Sequence, residues 1–355
     1  MTSLAQPLRL RDVTLPNRIA LAPMCQYSAE GDGLPTGWHL AHLAARAVGG
    51  AGLILTEATA VVPEGRISPR DTGLWSPAHV DAWRPITALI AAQGAVPAVQ
   101  LAHAGFKAST WWPFAAERGG VADADGGWTP VGPGGQPFVP NYRTPAALDQ
   151  AGIDAVVAAF AQAAVYAVDA GFQAVEVHAA HGYLLHEFYS PLTNHRTDGY
   201  GGSWQGRTRL ALEVVRAVRA AVGDQTPVLV RISATDWTEG GWTADDSVQF
   251  AIELARAGAD LIDCSSGGAD PHAQIPLGPG YQVPLSERVR RDAVVPTGAV
   301  GLITEPEQAE QIVADGQADL VLLGRELLRD PYWPRRALAK LGAEPHWPDQ
   351  YLRAF

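Results

Sequence analysis

Eight times along this chain a short, continuously apolar run is followed by a longer stretch of helical character. The runs are Ile19–Met24, Leu53–Thr59, Val96–Leu101, Ala174–Val177, Val228–Ile232, Leu261–Cys264, Val295–Ala299 and Leu320–Leu323. Strands this short and apolar on both faces suit a parallel sheet, because its crossover helices cover both sides. Between the runs lie amphipathic stripes. Ile153, Val156, Val157, Phe160, Ala164, Ala167 and Val168 recur at helical spacing, as do Ala211, Val214, Val215, Val218 and Val222. Ser76-Pro77 reads as an N-cap with proline at the first helical position. Thr243-x-x-Asp246 and Thr304-x-x-Glu307 read as capping boxes. Gly94, Gly171, Gly223, Gly258 and Gly316 stand where left-handed C-caps are expected.

Eight such units predict a single (β/α)8 TIM barrel spanning residues 1–355. A doubly wound sheet is the alternative, but no G-x-G-x-x-G follows any strand. Gly132-Pro133-Gly134-Gly135 lies in a Pro-rich loop with no helix behind it. One connection breaks the rhythm. Residues 104–150 carry Trp111, Trp112, Trp128 and many Gly and Pro, and loops of this length are usually functional or disordered. The tryptophans favour an ordered excursion that covers the barrel mouth.

Charge and composition exclude several partners. The formal net charge of −11 argues against nucleic acid, whose phosphates need clustered basic residues. No basic amphipathic helix suggests a membrane surface, and the most apolar stretch, Ala155–Val168, reads as too short to span a bilayer. The N-terminal residues lack the charged and apolar regions of a signal peptide. Cys25 and Cys264 have neither metal-cluster nor disulfide-framework spacing, which fits a reducing cytoplasm.

In a barrel, chemistry gathers at the C-terminal ends of the strands. Those ends carry Met24-Cys25, Ala58, Gln100 with His103, His178 with His181, Arg231, Ser265, Gly298 to Gly301, and Gly324-Arg325. The last two groups follow the seventh and eighth strands, where barrels commonly bind phosphate. Gly301 allows close backbone approach, and Arg325 opens a short helical pattern whose N-terminus favours an anion. Singly, each is an ordinary turn or a surface ion pair; jointly they point to a phosphate-bearing cofactor. Arg231, costly at a strand end without an electron-rich partner, suits a flavin. Gln100 offers donor and acceptor to a pyrimidine edge.

His178-Ala179-Ala180-His181-Gly182-Tyr183 places two imidazoles and a phenol where the fourth strand gives way to a loop. Two such donors can grip one carbonyl or nitro oxygen while the phenol delivers a proton. A polar loop whose histidines cap backbone groups is the competing reading. His178/His181 or His39/His42 could alternatively ligate a metal in a hydrolase, but no carboxylate or thiolate cluster completes either set. A Schiff-base mechanism needs a lysine on a strand, and neither Lys107 nor Lys340 lies on one.

Taken together, these residues resemble the old yellow enzyme family of FMN-dependent ene-reductases, nearly end to end. The resemblance runs through Leu15-Pro16-Asn17-Arg18, Ala22-Pro23-Met24-Cys25, Gln100-Leu101-Ala102-His103-Ala104-Gly105 and His178 to Leu184. It continues through Ser190-Pro191, Asn194, Arg196, Asp198, Tyr200-Gly201-Gly202-Ser203 and Gly324-Arg325 with Leu328 and Asp330-Pro331. The second histidine, Cys25 and Gln350-Tyr351-Leu352-Arg353 resemble the bacterial branch that contains the xenobiotic reductases. Phe106, Gln205-Gly206 and Tyr189 depart from the family pattern.

The resemblance implies one FMN, NADPH or NADH as reductant and an electron-poor alkene, in a ping-pong cycle within one pocket. Ala22, Pro23, Met24, Cys25, Ala58, Gln100, Arg231, Ser265, Gly301, Gly324 and Arg325 would hold the cofactor. His178 and His181 would clamp the substrate oxygen, Tyr183 would protonate Cα, and Tyr27 would line the pocket. Cys25 would tune the flavin, its competing reading being a small buried hydrophobe; Cys264 is core. Arg353 would reach a neighbouring subunit's site in a homodimer or homotetramer. A dienoyl-CoA reductase would need an iron–sulfur cluster and a further domain, for which two cysteines and this length do not suffice. Outside the enzymes, the rival is a barrel that only stores or senses flavin.

Overall fold

The eight apolar runs close on themselves. In the computed structural model, which describes residues 3–354, they form a closed parallel barrel in sequential order. The strands are β1 (Ile19–Leu21), β2 (Leu53–Ala60), β3 (Val96–Ala102), β4 (Ala174–Ala179), β5 (Val228–Ser233), β6 (Leu261–Ser265), β7 (Thr297–Val300) and β8 (Leu320–Leu323). Helices α1 (Gly37–Val48), α2 (Pro77–Ala92), α3 (Gln150–Asp169), α4 (Trp204–Val222), α5 (Ala244–Ala257), α6 (Val283–Ala293), α7 (Pro306–Ala314) and α8 (Trp333–Lys340) surround them.

Burial follows the pleat. Outward-facing Val175, Val177, Val230, Ile232, Ile262 and Cys264 pack under the helices in one core. Inward-facing Ala20, Leu53, Leu55, Ala98, Ala174, Leu229, Leu261, Leu320 and Leu322 form a second core inside the barrel. A hairpin of Leu8–Leu10 and Val13–Leu15 adds Leu10 and Leu15 to that inner core.

Several local expectations need correction. β1 ends at Leu21, not Met24, because Pro23 has no N–H to give a neighbouring strand. β7 begins at Thr297, after Pro296. Thr304 is not an N-cap: α7 is capped by Glu305 with Pro306 at its first position, a stronger start signal than the Thr-Glu spacing. Thr243 and Asp246 do form a reciprocal capping box. All five expected glycines have positive φ, but only Gly258 is itself a left-handed C-cap. Val168 faces outward. α3 also runs beyond Ala155–Val168 at both ends; its 20 residues and mean hydropathy of 1.7 are enough, by length and composition alone, to cross a bilayer. Here it lies in the outer ring, with Ile153, Phe160, Ala164 and Ala167 buried.

The excursion after β3 is built rather than random. It contains a two-stranded pairing of Val131–Gly132 with Ala146–Ala147. Trp128 donates to Glu64 O at 2.8 Å, and the Arg66 guanidinium lies 5.1 Å from its ring centre. Arg70 stacks over Trp112 at 4.5 Å. These contacts dock the excursion onto the loop after β2.

Candidate active site

At the C-terminal mouth, β4 ends and the chain turns sharply. His178 is buried on the strand, while His181 and Tyr183 follow on the turn. The His178 ring centre lies 5.2 Å from that of His181 and 5.0 Å from that of Tyr183, both nearly perpendicular. The two imidazoles and the phenol thus form one cluster. Burial holds both histidines well below their usual titration range, aided by the Arg231 charge. Burial likewise raises Tyr183 well above the ordinary phenol range. At neutral pH the cluster therefore offers neutral imidazoles and a protonated phenol.

A hydrogen bond specifies the ring proton of His178. Nδ1 of His178 accepts the Ala180 N–H at 3.3 Å, which leaves the proton on Nε2. Nε2 of His181 lies 2.7 Å from Ser265 Oγ. When that hydroxyl donates, His181 carries its proton on Nδ1. Ser265, expected at the cofactor, thus touches His181 while also lining the cavity described below.

Buried groups outside the motif hold this turn. His181 has a left-handed φ of +61°, and Gly182 one of +70°. A Cβ on Gly182 would fall 2.1 Å from Gly268 O, and one on Gly268 would fall 2.5 Å from the His181 Cα. The loops after β4 and β6 therefore meet backbone to backbone. The Gly182 N–H donates to His186 Nδ1 at 2.8 Å, and His186 Nε2 pairs with Asp236 at 2.8 Å, all buried. Asp236 also accepts from Ser190 Oγ and the Trp242 N–H. The His181 N–H donates to Ser233 Oγ at 2.9 Å.

Lys107 was not expected here. Its ammonium donates to His181 O and Gly268 O, both at 2.7 Å, and lies 5.6 Å from the Tyr183 ring centre and 4.0 Å from that of Phe138. Burial lowers its pKa to about 8. The available signal was its place four residues after His103, in a chain whose other basic residues are nearly all arginine.

On the β1 side, Cys25 is half-buried, bonded by the Ala58 N–H and the Tyr27 hydroxyl. Burial, with Asp71 and Glu57 nearby, raises its pKa and keeps it a thiol. Tyr27 packs edge-on to Phe114 of the excursion at 6.3 Å. Glu57, also unforeseen, accepts the Gln26 N–H at 2.8 Å and meets His39 Nε2 at 2.9 Å, so His39 has a structural partner. Among the described residues, no three or more His, Cys, Asp or Glu gather as a metal site.

A cavity of about 250 Å³ continues across the mouth, lined by Arg231, Ser265, Gly301, Gly324 and Arg325. Gly301 has φ +123°, and a Cβ there would press on Tyr281 and Gln282. A Cβ on Gly324 would reach Met24 Sδ at 3.5 Å, which links the ends of β1 and β8. Deeper in, Arg231 Nε lies 3.1 Å from Asp263 yet makes no aligned hydrogen bond. Gln100 donates to Glu176 at 2.8 Å, leaving its amide oxygen as an acceptor. An exposed arginine beside glycine backbone, with a guanidinium and an amide deeper in, fits the phosphate and pyrimidine ends of a flavin nucleotide.

Arg353 is not brought to this site within the chain. It is exposed and shares a groove with Tyr332, Arg336, Trp347 and Tyr351. The departures from the family pattern have local roles. Tyr189 is fully buried, its hydroxyl bonding Ala179 O and Ser233 N. Ser203 caps α4, its Oγ accepting the Gly206 N–H, and a Cβ on Gly206 would meet Gly201 O. Phe106 stacks on Phe138 at 5.3 Å, while its N–H meets Glu187 Oε1 and Glu187 Oε2 stays unpartnered.

The fold and site define a flavin oxidoreductase barrel. Residues 3–344 match the NADH:flavin oxidoreductase / NADH oxidase family, and the chain belongs to that family. It is an enzyme of the NADPH dehydrogenase type within the old yellow enzyme group. It is 46% identical over 355 residues to the NADPH dehydrogenase of Geobacillus sp. (strain WCH70), covering 100% of this chain and 99% of that protein. Its structure is similar to the old yellow enzyme homologue from Zymomonas mobilis, with TM-score 0.80, 30% identity and coverage of 96% and 93%. It also resembles 2-naphthoyl-CoA reductase, with TM-score 0.87 and 26% identity; 96% of this chain matches about half, 52%, of that one.

Proposed function

We propose that this chain reduces the activated C=C bond of α,β-unsaturated carbonyl compounds, and also accepts nitro compounds, using FMN and NADPH or NADH. The observation that carries the reading is the cluster of His178, His181 and Tyr183, with ring centres 5.0 and 5.2 Å from that of His178 and both imidazoles neutral. When bound, FMN would supply hydride chemistry between the nicotinamide and the activated alkene. Gly301, Gly324 and Arg325 would hold its phosphate, with Gln100 and Arg231 at the ring. Ala22, Pro23, Met24, Cys25, Ala58 and Ser265 would complete the wall, with Cys25 offering a neutral thiol to the ring.

The chain's own groups then handle the substrate. His178 gives its Nε2–H, and His181, with Ser265 donating to its Nε2, gives its Nδ1–H to the substrate oxygen, which draws electron density from the alkene. Neutral donors suit this task because they bind without surrendering a proton. Tyr183 passes its phenolic proton to Cα, and its raised pKa keeps that proton in place until the carbon becomes basic. Tyr27 and the 104–150 excursion, as a lid, line the outer pocket. The whole of residues 1–355 acts as one FMN-binding barrel. Arg353 lines a neighbouring subunit's pocket in a homodimer or homotetramer, and the free cysteines suit a reducing cytoplasm.

The test is the visible spectrum of the purified protein. Flavin bands that bleach with NADPH and return with 2-cyclohexenone support the reading. Bands that bleach but return only with dioxygen point to a barrel that stores flavin, and FAD released on denaturation rejects the cofactor assignment.

A further inference from the structure

At and just below the His178 level the barrel interior carries two carboxylates, Glu176 and Asp263, to which the reaction assigns no role. Arg231 on β5 stands in register with His178 on one side and Asp263 on the other. Glu176 lies two residues below His178, in register with Gln100. All four of Gln100, Glu176, Arg231 and Asp263 are buried, the two carboxylates completely. The inward residues two positions further down are Ala98, Ala174, Leu229 and Leu261. The charged layer therefore rests on an apolar floor, roughly 7 Å below the next inward level at a strand rise of about 3.3 Å per residue.

Two carboxylates oppose one guanidinium in this layer. Glu176 spends Oε1 on the Gln100 amide, while Glu176 Oε2 and both oxygens of Asp263 lack hydrogen-bond partners. Asp263 Oδ2 meets Arg231 Nε only as an unaligned ion pair, and carboxylate oxygens without hydrogen bonds in so dry a place are expensive for a purely structural arrangement. Both Gln100 and Arg231, the groups the carboxylates engage, are also those that fit a flavin pyrimidine.

We propose that Glu176 and Asp263 are positioning residues for the cofactor: acting through Gln100 and Arg231, they set the reduction potential of bound FMN. This rests on the FMN reading above. Asp263, 3.1 Å from Arg231, is pushed up by burial, against which the guanidinium favours its ionised form, and as a carboxylate it offsets part of the Arg231 charge. Glu176 is the partner that holds a proton at neutral pH, since burial and then Asp263 raise its pKa to about 8. The charged and titratable groups facing it are Arg231 from β5, Asp263 from β6 and His178 above it on its own strand. Two-electron reduction adds negative charge to the flavin. That charge is stabilised by Arg231 and opposed by every ionised carboxylate beneath it. Each carboxylate thus lowers the potential only while it is ionised.

The experiment measures the midpoint potential of the FMN-loaded protein well below and well above pH 8, for the unaltered chain, Glu176→Gln and Asp263→Asn. Asp263→Asn should raise the potential at both pH values, by roughly tenfold in the reduced-to-oxidised ratio, about 30 mV for a two-electron couple. Glu176→Gln should change nothing below pH 8, where an amide replaces a neutral acid, and should raise the potential by a similar amount above it. Infrared spectra of the flavin-free protein give a second readout: a protonated carboxylic-acid band at neutral pH that Glu176→Gln removes. If Asp263→Asn fails to fold, the Glu176 pair of measurements decides alone. Equal Glu176→Gln shifts at both pH values, or none at either, overturn the proposal. A protein that binds no FMN overturns the cofactor reading and this inference together, whereas bound FMN with an unmoved potential overturns this inference alone.

Discussion

Lys107 Nζ sits 2.7 Å from the main-chain oxygen of His181, and the same ammonium lies 5.6 Å from the centre of the Tyr183 ring. One side chain from the loop after β3 thus braces the turn that carries both His181 and Tyr183. Lys107→Met should cost about 1.5–3 kcal/mol, the scale of a hydrogen bond to a charged group. It should also slow reoxidation by enones more than reduction by NADPH. Stopped-flow spectra of the two half-reactions check this, and equal slowing of both would indicate general loosening of the barrel.

The same lysine gives a pH signature. Its folded pKa of about 8 lies below the ordinary 10.5 because burial penalises the charge. The unfolded chain therefore binds more protons between those values, so stability should rise with pH across that window. The contribution is complete above pH 10.5 and is lost as pH falls through about 8. Thermal melting of the unaltered protein against Lys107→Met should show the rise only in the former. A variant with the same slope would assign the titration to other groups.

Tyr183→Phe separates proton delivery from everything else. Flavin reduction by NADPH should be nearly unchanged, while enone reduction should fall by roughly 10²–10⁴, the usual worth of a general acid. Nitro acceptors, which stabilise the developing anion themselves, should lose less. Loss of both half-reactions alike would make the phenol a packing group.

The tail offers a test of assembly. The Tyr351 hydroxyl lies 3.2 Å from that of Tyr332, so this segment is anchored while Arg353 stays exposed. Deleting residues 351–355 should leave a folded, FMN-loaded barrel with reduced enone turnover. Mixed dimers pairing this truncation with Tyr183→Phe should regain activity, because each supplies what the other lacks. Full turnover by the truncated protein would confine Arg353 to a surface role.

The fold was legible in the strands because each is buried on both faces and so reads as an unbroken apolar run. Boundaries shifted where proline removed an N–H, at Pro23 and Pro296, or gave a better helix start, at Pro306. His178, His181 and Tyr183 were legible because one strand end delivers all three. The Arg231–Asp263 pairing was not, since it depends on the register of β5 against β6. Lys107, His186 and Asp236 were hidden for a similar reason: their partners are backbone atoms or distant residues whose proximity only the closed barrel creates.

Gly182 and Gly268 touch with no side chain between them, which gives the site an unequal capacity for change. Any larger residue at either position would push the His181 turn away from the His178 strand, so the placement of the two imidazoles stands on a floor that admits almost no variation. Tyr27 and Phe114 of the excursion, by contrast, meet through their rings alone, and Phe114 is exposed, so a ring there can change without a clash of main chains. New substrate ranges in such a barrel should therefore arise by redecorating the roof, with the clamp and the proton donor passed on unaltered.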